Sequence, residues 1–201
     1  MASILKVDTI QDQSGNNIIN ENADTITIGA SGDTITIPSG ATLSNLGTAT
    51  GFGVNTPAFL ARNSALQAIS DDTMTKVQFN DVVYDTESGA YDNVTNYRFT
   101  VPSGQGGKYA VYSMVSLNSE VNSNLDGILI QVRKNNTGLD VGNNELNFLS
   151  NPIRLGPVSF FSVIELSAGD YLEVYCRIEA TDATGGVILA SSNFGAYKII
   201  E

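Results

Sequence analysis

Residues 97–115, YRFTVPSGQGGKYAVYSMV, decide the fold because they read as two apolar strands joined by a glycine-rich turn. Tyr97, Phe99 and Val101 alternate with polar residues, which is the period of a half-buried β-strand. Pro102 cannot donate a hydrogen bond to a neighbouring strand, and the glycines that follow it accept positive φ angles. The chain must therefore turn between the two strands.

The second of these strands, residues 109–117, is apolar on both faces. One face carries Tyr109, Val111, Val115 and Leu117, and the other carries Ala110, Tyr112 and Met114. A strand with two apolar faces is typical of a layer that is covered on both sides. We therefore expect each face to be covered by a second sheet or by a neighbouring subunit.

The composition is that of a soluble, acidic domain with an appendage: 201 residues, 42% of them hydrophobic. The net charge is −11 although only 15% of the residues are charged, and the sequence contains no basic cluster. Nucleic acids and anionic membranes bind concentrated Lys and Arg, so neither is an expected partner. The longest apolar run is far shorter than the ~20 residues of a membrane-spanning helix, and the opening MASILKVDTIQDQ does not match a secretory signal.

The residue types that the sequence lacks restrict its chemistry. There is no His, which excludes a Ser-His-Asp triad, a Cys-His pair and His-ligated metal sites. The single cysteine, Cys176, alternates with apolar residues and is predicted to lie in the core. The carboxylate pairs Asp71 with Asp72 and Glu120 with Asp126 are expected to be solvated acids, so no enzyme activity is predicted. A glycan-hydrolysing spike, with two carboxylates between subunits, is the less favoured alternative.

No cofactor is predicted either. Asp126, Glu179 and Asp182 lie in loop-like segments, which leaves Ca²⁺ binding as a minor alternative, but no loop carries a recognisable ligand spacing. Ordinary acidic loops are the preferred interpretation.

The N-terminal residues 1–46 contain a short repeat. DTITIG at residues 24–29 recurs as DTITIP at residues 33–38, and TLSNL at residues 42–46 is a weaker third copy. Each full copy predicts a short strand with one isoleucine stripe, formed by Ile26, Ile28, Ile35 and Ile37. So short a repeat cannot bury its stripe alone. We therefore predict a β shaft made by parallel association of identical chains, with a flexible linker as the alternative.

A glycine-rich hinge, residues 47–56, precedes a head at residues 57–201 whose strands are longer and more apolar. The predicted strands are residues 58–61, 76–83, 97–101, 109–117, 128–133, 158–166, 171–178 and 187–199, the last interrupted near residues 192–193. A helix could be argued only for residues 62–69. Many short strands with turn signals about every ten residues predict an all-β sandwich or jelly roll.

The order of several motifs in the head resembles the C1q/TNF-like jelly roll. These motifs are PAFLA at 57–61, VQFNDV at 77–82, YRFTVP at 97–102, GKYAVY at 107–112, LSAGDYL at 166–172 and SNFGAYKII at 192–200. The resemblance covers about 145 residues and implies a homotrimer packed along a threefold axis. The segment ILKVDTIQDQSGNNI, followed by GDTITIPSG, resembles the shafts and attachment segments of tail-fibre proteins from marine bacteriophages.

These resemblances imply a structural virion protein: a trimeric phage tail fibre or spike, made in the host cytoplasm. Its N-terminal segment would dock on other virion proteins, and its head would adhere to a host-surface polysaccharide or protein. The alternative is a purely structural capsid fibre or decoration protein. Because strand connections alternate between the two ends of a jelly roll, we expect a receptor to contact the end opposite the chain termini, through Asn122, Asp126, Glu179 and Asp182.

Overall fold

The computed structural model describes residues 9–15, 17–22, 25–29, 31–47 and 55–199. The chain divides into two compact units, Met1–Phe52 and Gly53–Glu201, and the division falls inside the stretch that the sequence predicts as a hinge. The described residues form strands and turns without an α-helix. Among them, none belongs to a helix long and apolar enough to cross a membrane.

The N-terminal unit contains an antiparallel sheet of three short strands, β1 (Thr9–Gln11), β2 (Asn17–Asn22) and β3 (Thr25–Ile28). The first TITI copy forms β3, as expected, but β3 pairs with β2 of the same chain rather than only with another chain. The second copy, with Ile35 and Ile37, is not a strand, which corrects the prediction. A strand needs backbone hydrogen-bond partners, and β3 finds them in β2, whereas no strand among the described residues pairs with residues 33–38.

The head contains thirteen strands among its described residues. They are β4 (Ala58–Arg62), β5 (Gln67–Ile69), β6 (Thr75–Lys76), β7 (Asp81–Asp85), β8 (Tyr91–Asp92), β9 (Arg98–Thr100), β10 (Gly107–Asn118), β11 (Leu125–Lys134), β12 (Thr137–Asn147), β13 (Leu155–Leu166), β14 (Tyr171–Ala180), β15 (Gly186–Ile188) and β16 (Asn193–Lys198).

These strands form two antiparallel sheets. In sheet I the order is β5-β15-β10-β16-β4-β7, and β13 pairs with the free edge of β10 along its whole length. In sheet II the order is β12-β11-β14-β9-β8, and β6 adds to β14. The all-β prediction is confirmed, as is the break near residue 192. Three features of the structure were not predicted from the sequence. Strand β12 was not expected, the single strand predicted at residues 76–83 is replaced by β6 and β7, and β5 lies where a helix was considered.

The core lies between the two sheets and is organised around Phe59 of β4. Its ring stacks on Tyr91 and Phe99 of sheet II at centroid distances of 4.9 and 4.7 Å, and it meets Phe194 of β16 edge-on at 5.0 Å. Cys176 is fully buried among these apolar residues, as predicted, and burial raises the pKa of its thiol to about 12. Several motifs that resemble the C1q family are therefore core-packing residues.

The strand directions place the connections at two ends of the head. Residues 119–124, 148–154 and 181–185 lie together at one end, which we call the distal loops. They are joined by backbone hydrogen bonds such as Ser119 N to Arg154 O (3.0 Å) and Thr181 N to Asn124 O (2.9 Å). β4 begins and β16 ends at the opposite end, because Ala58 pairs with Tyr197 and Tyr197 pairs with Ala110 near the start of β10, whose other end leads into residues 119–124. The expected alternation of the connections between the two ends is confirmed, because the turns at residues 135–136 and 167–170 lie at the end opposite the distal loops.

Candidate subunit interface and distal loops

The outer face of sheet I exposes an apolar row that runs across five strands. The residues directly opposite one another are Phe161 of β13, Tyr112 of β10, Gly195 of β16, Leu60 of β4 and Tyr84 of β7. Residues that pair directly across strands share one face of a sheet. Phe161 is 68% exposed and Tyr84 is 44% exposed. A second row beside it contains Val163, Ala110, Tyr197 and Ala58. We call the two rows together the apolar face.

The apolar face follows from the two-sided pattern of β10. Tyr109, Val111 and Val115 point into the core and are fully buried, so the residues between them point outward. Strand β13 repeats the pattern, because Val158 and Phe160 are buried whereas Phe161 and Val163 are exposed. Exposed apolar patches of this kind mark association surfaces.

Tyrosine hydroxyl groups lie close together at the centre of the apolar face. The Tyr112 ring lies directly over Gly195: a Cβ atom there would collide with the ring and would lie 2.8 Å from the carbonyl oxygen of Phe59. Burial raises the pKa of Tyr112 strongly, and a hydrogen bond with Tyr84 and the charges of Tyr84 and Tyr197 raise it further. Burial thus favours the neutral form of the Tyr112 hydroxyl, which suits a surface that excludes water.

One polar pair closes the distal edge of the apolar face. Arg62 of β4 and Asp81 of β7 lie directly opposite each other, and their side chains join at 2.6 Å from Nε to Oδ2. Arg62 follows Leu60 on the same side of β4. The apolar rows thus end in an ion pair at the surface.

The sequence pattern of β10 predicted its outward residues, whereas the outward positions of Phe161, Val163 and Tyr84 were not predicted. The signal for the first two was present, since the consecutive residues Phe160 and Phe161 must point to opposite faces of a strand. Tyr84 carried no comparable signal, because β7 reaches the row only through its pairing with β4.

The isoleucines predicted to pack in the shaft are exposed within one chain. Ile26 and Ile28 of β3 are 67% and 55% exposed, and Ile35 and Ile37 are 59% and 51% exposed. Ile28 lies opposite Ile19, which lies opposite Ile10, so three strands contribute to one isoleucine row. Nothing described within the chain covers this row.

The four residues predicted to contact a receptor are only partly together. Asn122 lies in the first distal loop and Asp182 in the third, but Asp126 and Glu179 lie in β11 and β14 rather than in loops, which corrects the prediction. Strand β14 continues two residues further than its apolar alternation indicated. Asn122 is exposed, on the distal surface.

Three of these four side chains already have partners within the head. Asp182 accepts hydrogen bonds from Asn124 (2.9 Å) and from Thr184, and these bonds lower its pKa, the Thr184 hydroxyl most. Asp126 accepts from the Thr181 hydroxyl (2.8 Å). Glu179 pairs with Arg177 at 2.5 Å. The contacts of Asp126 and Asp182 hold the distal loops in shape, whereas the Glu179–Arg177 pair lies within β14. Across the described part of the chain, no group of three or more His, Cys, Asp or Glu residues is placed to hold a metal ion.

No protein-family model and no curated protein sequence matches the chain. Among solved structures, the globular domain of zebrafish complement 1qA protein matches with a TM-score of 0.50 and 17% sequence identity, over 72% of this chain and 98% of that chain. The head is an all-β jelly-roll sandwich with the fold of a C1q globular domain.

Proposed function

We propose that this chain is the subunit of a homotrimeric virion fibre of the phage tail-fibre type. The observation that carries the proposal is the apolar face of sheet I, on which Phe161, Val163 and Tyr84 are 68%, 50% and 44% exposed. Packing three such faces around one axis removes all of them from water. Each fully buried side chain of this size contributes about 1.5–3 kcal/mol.

A closed cyclic trimer also fits the direction of the chain. Cyclic symmetry places the same end of every head on the same side of the assembly. In such a trimer, strand β4 of each head begins at the same end of the assembly, and the distal loops of all three heads lie at the other end. The C1q-like fold and the motif resemblance of the head support this arrangement, and the phage-like N-terminal sequence supports attachment to a larger particle.

The subunit interface is tested by mass photometry of the full chain. We expect a particle of about three times the chain mass of 21.3 kDa. Phe161→Asp places a charge in the interface and should release monomers, because an unpaired charge is costly to bury. The matched control is Val94→Asp, since Val94 is 73% exposed but lies outside the apolar face. A monomeric wild-type chain, or equal behaviour of the two variants, would contradict the trimer.

We further propose that the head acts by binding to the host surface rather than by catalysis. The distal loops are exposed at the end away from the chain termini, where a fibre first meets a cell. Exchanging residues 119–124, 148–154 and 181–185 for other polar sequences should preserve the trimer and abolish adsorption of the particle. Unchanged adsorption would instead favour a capsid fibre or decoration protein without receptor binding.

A further inference from the structure

The outer face of sheet II carries two tyrosines in one line along β14. Tyr171, Glu173 and Tyr175 alternate with Leu172 and Val174, which are fully buried. Because successive side chains of a strand point to opposite faces, the first three point away from the core. The two tyrosines are four residues apart, which separates them by about 13 Å along the strand.

Three other strands bring cations onto these tyrosines. The guanidinium carbon of Arg98 in β9 lies 4.2 Å from the centre of the Tyr171 ring, and that of Arg133 in β11 lies 3.8 Å from the centre of the Tyr175 ring. Lys76 in β6 approaches the Tyr175 ring at 5.7 Å. We call this surface, formed by Lys76, Arg98, Arg133, Tyr171 and Tyr175, the cation–tyrosine face.

The two arginines retain unpaired charge. Lys76 pairs with Glu173 at 2.5 Å, so this lysine is neutralised locally. Arg133 donates from Nε to the side-chain oxygen of Gln131 at 2.6 Å, which leaves its terminal nitrogens available. Within the described ranges, neither Arg98 nor Arg133 forms an ion pair. Stacking on a ring holds a guanidinium flat and leaves its N–H edge free for a carboxylate.

The cation–tyrosine face brings three cations near the carboxylates of Glu173 and Asp92, which is an unusual concentration of cations for a chain whose net charge is −11. A densely charged polyanion such as a nucleic acid would be repelled by the rest of the molecule, and two free arginines neutralise few of its phosphates. A polymer with sparse carboxylates suits the surface better. Each stacked arginine can bind one carboxylate through two parallel hydrogen bonds, and the exposed ring edges can contact the apolar face of a sugar.

We propose that the cation–tyrosine face binds a carboxylated polysaccharide. Arg98 and Arg133 reach these rings from strands on opposite edges of β14, so one extended chain that crosses β14 can contact both arginines through separate uronate groups. This site lies within a single head and on the other sheet from the proposed subunit interface. It is also separate from the distal loops, so it neither requires the trimer nor follows from the proposed receptor contact.

Binding is tested with the full-length protein and hyaluronate, a polysaccharide with one carboxylate per disaccharide, immobilised on a biosensor. Arg98→Gln and Arg133→Gln should each weaken binding about tenfold, since each removes a charge-assisted contact. Arg133→Lys should also weaken it, because lysine keeps the charge but not the planar fork. Raising the salt concentration should weaken binding of the wild-type protein.

Lys108→Gln is the matched control, because Lys108 is exposed in β10, outside both the cation–tyrosine face and the distal loops, and the substitution removes one positive charge. This substitution should change the affinity for hyaluronate less than twofold, because salt screens a charge that lies far from the bound polysaccharide. Neutral dextran should not bind. Equal weakening by Lys108→Gln, equal binding of dextran, tighter binding of single-stranded DNA than of hyaluronate, or no binding of hyaluronate would each overturn the proposal. Unchanged melting temperatures of the variants establish that the loss is not caused by unfolding.

Discussion

Asp170 joins two turns at the end of the head where β4 begins. Its carboxylate pairs with Lys134 at 2.7 Å, and it accepts hydrogen bonds from the Asn135 amide (2.7 Å) and the Ser167 backbone N–H (2.8 Å). These partners, Lys134 first, lower the pKa of Asp170 from 3.8 to about 2. The LSAGDY motif therefore has a structural explanation in this chain: its aspartate holds the β11–β12 turn against the β13–β14 turn.

We predict that Asp170 makes the stability of the head depend on acid. A carboxyl group whose pKa is lower in the folded than in the unfolded state stabilises the fold above its unfolded value, here 3.8, and this contribution is lost as the pH falls through about 2. Asp170→Asn should be less stable than the wild type at neutral pH, and the two unfolding free energies should converge between pH 4 and pH 2. Denaturant melts at several pH values measure this difference. Curves that stay parallel over that range would show that Asp170 does not contribute through its charge.

Among the elements, the strands that face the core were the ones that alternation could predict. β14 has regular apolar periodicity because one of its faces packs against the other sheet, and β10 was recognisable because it is apolar on both faces. β12 (TGLDVGNNELN) has neither pattern, since it pairs only with β11 at the edge of sheet II and most of its described side chains are exposed. An edge strand is held by backbone hydrogen bonds to its neighbour more than by burial of its side chains. The alternation of apolar and polar residues reflects burial, so it does not predict such a strand.

The shaft strand β3 should be stabilised by its isoleucines only if another chain covers them. Ile28 is 55% exposed within one chain, so Ile28→Ala costs little if the segment is a linker. In a trimer, truncating a buried isoleucine typically costs about 2–5 kcal/mol at each copy. Thr27→Ala is the control, because Thr27 points to the opposite face of β3. Thermal melts of the assembled protein should show a larger decrease for Ile28→Ala, and equal tolerance would favour the flexible linker.

At the scale of the whole molecule, the candidate surfaces depend on strand order, which the sequence does not specify by itself. The apolar face needs β7, β4, β16, β10 and β13 to lie side by side, although in the sequence these strands are spread from residue 58 to residue 198. Likewise Lys76, Arg98 and Arg133 form no basic cluster in the sequence, and only the pairing of their strands brings them onto the same two tyrosines. The fold class was predictable from periodicity, whereas these juxtapositions required the register.

Deleting residues 1–52 tests which of the two units forms the trimer and which one attaches it to the virion. The apolar face lies entirely within the described part of the head, which has its own core, so the truncated chain should fold and remain a trimer. It should also fail to enter virions if the N-terminal unit supplies the attachment, as its phage-like sequence leads us to propose. Mass photometry reports the first result, and mass spectrometry of particles assembled with the truncated chain reports the second. A monomeric truncated chain would mean that the N-terminal unit holds the trimer together, and normal incorporation would move the attachment site into the head.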